Sequence, residues 1–104
     1  MTAWPVGLST GCFYRTPILD CLETIRASGF SMVEVVFSPE HLDFRDHAMV
    51  ARASDAIRSL GMEVFSFHAP FGEDIDISSP VEADRRHSLR QILEAVEAAA
   101  LLGV

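Results

Sequence analysis

Strand-like and helix-like segments alternate along this chain, with strand starts near residues 6, 32 and 63 and an amphipathic stretch after each. This alternation constrains the fold more than any other feature. Strands separated by helices cannot pair as hairpins, so the pattern predicts a parallel sheet with right-handed crossovers, in the order βαβαβα.

The first strand is read at Val6-Gly7-Leu8-Ser9-Thr10, with Val6 and Leu8 on one face and Gly7 and Ser9 on the other. Gly11 to Thr16 is a loop. Thr16-Pro17 then reads as a helix N-cap followed by proline at the first helical position, with Ile18, Leu22 and Ile25 at helical spacing and Gly29 as the stop. Met32-Val33-Glu34-Val35-Val36 is the second strand; with Val33 and Val35 toward the helices, Met32, Glu34 and Val36 face inward. Phe37 to Phe44 is a loop. Arg45 to Leu60 carries Met49, Val50, Ala53, Ile57 and Leu60 on one stripe, and Gly61 closes that helix.

The third strand, Glu63 to His68, is the most informative stretch. Alternation puts Phe65 and Phe67 toward the helices and Val64, Ser66 and His68 inward, so a polar inner row ends in an imidazole at the strand's C-terminal rim. An acidic loop follows. Ser79-Pro80-Val81-Glu82 has the form of a capping box, and Leu89, Ile92, Leu93, Val96, Ala99 and Ala100 form the predicted buried stripe of a long third helix. Gly103 ends that helix, and Val104 would open a fourth strand.

Composition excludes several functions. The net charge of -7 opposes a nucleic-acid backbone. All eight basic side chains are arginine, so Schiff-base chemistry by a lysine is excluded for this chain. No apolar run approaches the ~20 residues that span a bilayer. Met1 to Pro5 is neither basic nor followed by an apolar run, and Cys12 and Cys21 form no C-x-x-C pair. A cytoplasmic location with free thiols is the expectation.

Four groups are candidates for chemistry. His68 is either a hydrogen-bonded structural residue or a neutral imidazole that ligates a metal or bonds a ligand hydroxyl. Glu34, in the middle of an apolar strand, needs a partner: an arginine in a structural ion pair, or a substrate. Ser9 and Thr10, at the end of the first strand, are placed either to touch a ligand or to hold the loop, and Ser9 is carried as a substrate-binding candidate. Asp74 and Asp76 offer a D-x-D to a hard cation, against a solvated loop with an Asx-turn. His41, His47 and His87 have no ligand-like spacing and read as surface. Cys12 has no base nearby and is not taken as a nucleophile.

The chain resembles the N-terminal part of the sugar phosphate isomerase/epimerase superfamily, the xylose-isomerase-like TIM barrels. The resemblance covers essentially all 104 residues. It rests on Gly7-Leu8-Ser9-Thr10, Gly29-Phe30-Ser31-Met32-Val33-Glu34-Val35, Leu60-Gly61-Met62-Glu63-Val64, and Phe67-His68-Ala69-Pro70-Phe71 with Asp76-Ile77-Ser78-Ser79-Pro80 after it. It implies an α/β fold, a βαβαβα fragment of a TIM (β/α)8 barrel with parallel strands and helices on the outer face. A complete barrel takes ~250 residues, or roughly 31 per unit, so residues 1–104 correspond to three units of an incomplete domain. The implied activity of the complete barrel is sugar isomerisation or epimerisation with a divalent metal (manganese, magnesium, cobalt or zinc). His68 is then a substrate contact or metal ligand, with Glu34 and Ser9 facing the sugar pocket. Most metal carboxylates and the catalytic base of the isomerases come from later strands, so the fragment alone is expected to be inactive. The implied partner is a small sugar or polyol. The uncovered inner face and sheet edges of three strands predict self-association or completion by the rest of a barrel, and the charge and the lack of a long apolar run predict no nucleic acid and no membrane. Two alternatives stand beside this: a non-catalytic βα ligand-binding or assembly module, and an endonuclease-IV-like zinc enzyme fragment.

Overall fold

In a computed structural model that describes residues 4–104, three parallel strands lie in the order β1 (Leu8–Ser9), β2 (Met32–Val36), β3 (Glu63–His68). The Met1–Ala3 end of the segment read above for a leader lies outside these residues. Helices α1 (Leu22–Ala27), α2 (His47–Ser59) and α3 (Glu82–Leu101) alternate with the strands. The α/β class and the parallel βαβαβα order are therefore as expected.

All three helices cover one face of the sheet. Val33 and Val35 are fully buried in a single cluster with Ile18, Leu22 and Ile25 from the α1 region, Val50, Ala53 and Ile57 from α2, and Ala95, Ala98 and Leu102 from the α3 region. Among the described residues, the other face has no such layer. The Cα radius of gyration is accordingly 14.8 Å, above the about 13 Å of a compact 100-residue domain. No helix among the described residues is long and apolar enough to cross a membrane.

Several local expectations are corrected. The first strand is only two residues long; Val6 is exposed, and Thr10–Phe13 is a turn of 3-10 helix capped by the Ser9 side chain rather than open loop. Thr16-Pro17 does not start a helix. Pro17 is extended (ψ 135°), the 3-10 turn Ile18–Asp20 follows it, and α1 begins only at Leu22. The Ile18 N–H donates to the His41 carbonyl oxygen of the neighbouring loop at 2.9 Å. Asp46 caps α2, its carboxylate accepting from the Met49 N–H, so that helix starts two residues later than predicted.

The capping box at Ser79 is not made either. Ser79 Oγ accepts from the Val81 N–H two residues on, and α3 starts at Glu82 without a side-chain cap. The buried face of α3 also differs from the predicted stripe. Ser88, Gln91, Ala95, Ala98 and Ala99 are inside, whereas Leu89, Leu93, Val96 and Ala100 face solvent and Ile92 is half-buried. Small residues let the helix approach α2 and the sheet closely; the larger ones are left on a second face. Val104 lies in no strand.

The register of β2 against β3 slips between Val33 and Glu34. Val64 pairs with Val33 and joins the core, while Ser66 pairs with Glu34 and Phe67 with Val35. Phe65 is the extra residue of this irregularity and is 56% exposed. The predicted faces of Val64 and Phe65 are thus exchanged, while Phe67 packs inward against the helix layer as expected. The slip also restores Ser66 and His68 to the face opposite that layer.

Candidate functional site

The C-terminal ends of the three strands open into a cleft of about 530 Å³. Ser9 and Gly11 come from the end of β1, Val36 from β2 and His68 from β3; Tyr14, Phe44 and Phe71 wall it, with Asp43, Arg45 and Asp74 at its edges. Loops at the carboxyl ends of parallel strands are where α/β folds gather ligand groups.

His68 holds its place by a local bond. Its Nδ1 lies 2.7 Å from the Ala69 carbonyl oxygen, which can only accept, so Nδ1 carries the proton. The neutral ring then has a bare lone pair on Nε2. Phe71 packs beside the imidazole, with ring centroids 5.2 Å apart. An imidazole so oriented can accept a hydroxyl proton, or donate its lone pair to a cation.

Below the rim, Ser9, Glu34 and Ser66 form one polar layer across the sheet, since Ser9 pairs with Glu34 and Glu34 with Ser66. The Ser66 hydroxyl donates to Glu34 Oε2 at 2.8 Å. Glu34 is half-buried, and this hydroxyl takes the place of the arginine considered from the sequence. Glu34 does not line the cleft; Ser9 and His68 do. Two of the three candidates therefore meet at the cleft, and the third sits one layer beneath. Ser9 Oγ already accepts from the Gly11 N–H at 3.2 Å, leaving its hydroxyl proton for another partner. Thr10 is structural: its Oγ1 accepts from the buried Val36 N–H at 3.0 Å.

Asp76 does what an Asx-turn does. Its carboxylate accepts from the Ser78 N–H at 2.8 Å and from the Ser78 hydroxyl, bonds that hold its pKa below the usual carboxylate range. The Asp76 N–H donates to the buried Ser88 Oγ, tying the acidic loop to α3. Among the described residues, no three His, Cys, Asp or Glu side chains converge as metal ligands. His68 has one lone pair to offer a cation.

Sequence reasoning missed two residues. His41, read as surface, is buried. Its Nδ1 donates to the Thr16 carbonyl at 2.6 Å, its Nε2 is buried without a partner, and burial pushes its pKa down. It pins the 37–44 loop to the 11–16 loop, and the two together form one wall of the cleft. Arg45 lies over the Phe44 ring at 4.4 Å, bonds Gln91, and pairs with Asp43 (3.7 Å) and Glu94 (3.8 Å). No periodicity marks either residue, because both act through loops whose partners are distant in sequence. Cys12 is exposed and Cys21 buried, both with free thiols; burial raises the Cys21 pKa.

No protein-family model matches this chain, and no curated protein matches it.

Proposed function

We propose that these residues form the N-terminal, substrate-binding part of a barrel-type sugar isomerase or epimerase, with the cleft taking an uncharged sugar or polyol. The observation that carries this reading is the pairing of His68 and Ser9 at the rim of parallel strands above an aromatic-walled cleft. A lone pair on His68 Nε2 and the Ser9 hydroxyl suit hydroxyl groups, while Tyr14 and Phe71 suit the apolar faces of a sugar ring. The sequential strand order and one-sided helix layer are compatible with three units of a barrel, and equally with one half of a doubly wound sheet.

The cleft's charge argues against a phosphorylated ligand. Among the described residues, Arg45 is the only arginine that lines it, and that guanidinium already faces Asp43 and Glu94. Any metal chemistry of a complete enzyme would draw further ligands from beyond these strands, with His68 as a ligand this part would add. The donor set also favours a second reading, a non-catalytic βα module that binds without turnover.

Titrating the 104-residue chain with ketoses, polyols and their phosphates, followed by NMR, tests the proposal. Expected are millimolar binding of the uncharged compounds with shifts at His68 and Ser9, weaker binding of the phosphates, loss of binding in His68→Ala, and no turnover. If no ketose or polyol moves either residue, the reading is wrong.

A further inference from the structure

The solvent face of α3 is unusual in its chemistry. Leu89, Leu93 and Val96 are 52%, 53% and 48% exposed and, with Ala100, repeat at spacings of four, three and four. This is the seam spacing of a two-helix coiled coil, on a helix that already buries a different face against its own core. Ile77, also exposed, lies beside Leu89 and widens the patch.

Charge along the seam selects its occupant. Arg90 and Glu97 each follow a seam residue by one position, so both lie on the same flank, two turns apart. Neither makes an ion pair among the described residues. In an antiparallel pair of identical helices, like flanks face each other. A two-fold axis between Leu93 and Val96 stacks Leu93 on Val96 and Leu89 on Ala100 of the second copy, and it brings Arg90 opposite Glu97 twice. A parallel pair would instead set the arginine-rich N-terminal halves side by side.

We propose that α3 is a self-association surface, pairing antiparallel with α3 of a second copy through the Leu89, Leu93, Val96, Ala100 seam and reciprocal Arg90–Glu97 ion pairs. Isologous two-fold contact of this kind is self-complementary. None of these residues lines the cleft, so sugar binding and α3 pairing are read out separately. The pairing is proposed for the 104-residue chain, since in the barrel reading a βα unit following α3 would compete with the second copy for this helix.

Sedimentation equilibrium on the full chain and two charge reversals tests it. The wild type should dimerise reversibly. Arg90→Glu and Glu97→Arg should each weaken dimerisation by about tenfold or more, because each places like charges opposite one another twice. An equimolar mixture of the two variants should recover wild-type association, since both contacts are then attractive. Circular dichroism should be unchanged, both side chains being exposed. A wild type that stays monomeric at millimolar concentration overturns the proposal. So does a dimer indifferent to both reversals, or a mixture that associates no better than its components.

Discussion

The Ser66 hydroxyl donates a 2.8 Å hydrogen bond to Glu34 Oε2 across β2 and β3, so the carboxylate in the middle of an apolar strand is partnered by the adjacent strand. A hydrogen bond to a charged acceptor contributes about 1.5–3 kcal/mol, and a half-buried acceptor stripped of its donor loses more of that than an exposed one. Ser66→Ala should therefore destabilise the chain by about 1–2 kcal/mol. Glu34→Gln, which keeps an oxygen for the same hydroxyl, should cost less. Urea denaturation of the two variants checks the ranking; a larger loss for Glu34→Gln would mean that the charge has another partner.

Thr10 supplies a second cross-strand bond, and here the donor is buried. The Val36 N–H has Thr10 Oγ1 as its partner at 3.0 Å, at the point where β1 has already turned into a 3-10 helix. Thr10→Val keeps the shape and removes the acceptor, so the amide is orphaned at a cost of about 1–3 kcal/mol. Thr10→Ser should retain most of the stability. Hydrogen exchange at the Val36 amide should quicken in the valine variant alone.

His41 makes stability depend on pH. Its folded pKa is lowered by burial, the bond to Thr16 opposing the shift only in part. The unfolded ring titrates near 6.5, so below that value the unfolded chain binds more protons than the folded one. Stability should be flat with respect to this group above about pH 6.5 and should fall as pH drops toward the lower folded value. His41→Leu removes the titration and the partnerless Nε2 together, along with the bond to Thr16. Its stability should be lower at pH 7.5 but lose its dependence on pH between about 6.5 and 5. An unchanged slope in that variant would assign the acid sensitivity to other groups.

The fold was legible wherever pattern and packing coincide. The second strand follows from a β-branched run, the third from alternation around Val64, Phe65 and Phe67, and the glycine stops from left-handed turns, with Gly29, Gly61 and Gly103 all at positive φ. The rim position of His68 was legible for the same reason. What stayed hidden depends on distant partners. Helix α3 is apolar on two faces, and periodicity alone does not say which one meets the sheet. His41 looks like any loop histidine until the Thr16 carbonyl is placed beside it. The capping signals at Thr16 and Ser79 are not used as caps: the Ile18 N–H bonds the His41 carbonyl oxygen, and Ser79 Oγ bonds the Val81 N–H two residues on.

The exchange of Val64 and Phe65 gives the last prediction, because strict alternation places them the other way round. The register slip leaves Phe65 over Gly7: a Cβ added at Gly7 would lie 2.9 Å from Phe65 Cε1 and 3.1 Å from the Met32 carbonyl oxygen. The ring is largely exposed and can swing aside, but the carbonyl belongs to β2 and cannot. Gly7→Ala should therefore destabilise by about 1–3 kcal/mol, the range for forcing an extra carbon into a filled site. Adding Phe65→Ala should return only part of that loss, since the backbone contact remains. Phe65→Ala alone should cost little, as the ring lies outside the core. Full recovery in the double variant would place the whole conflict on the ring, while a costly Phe65→Ala would mean that Phe65 packs with the helices after all and that the slip between Val33 and Glu34 is absent.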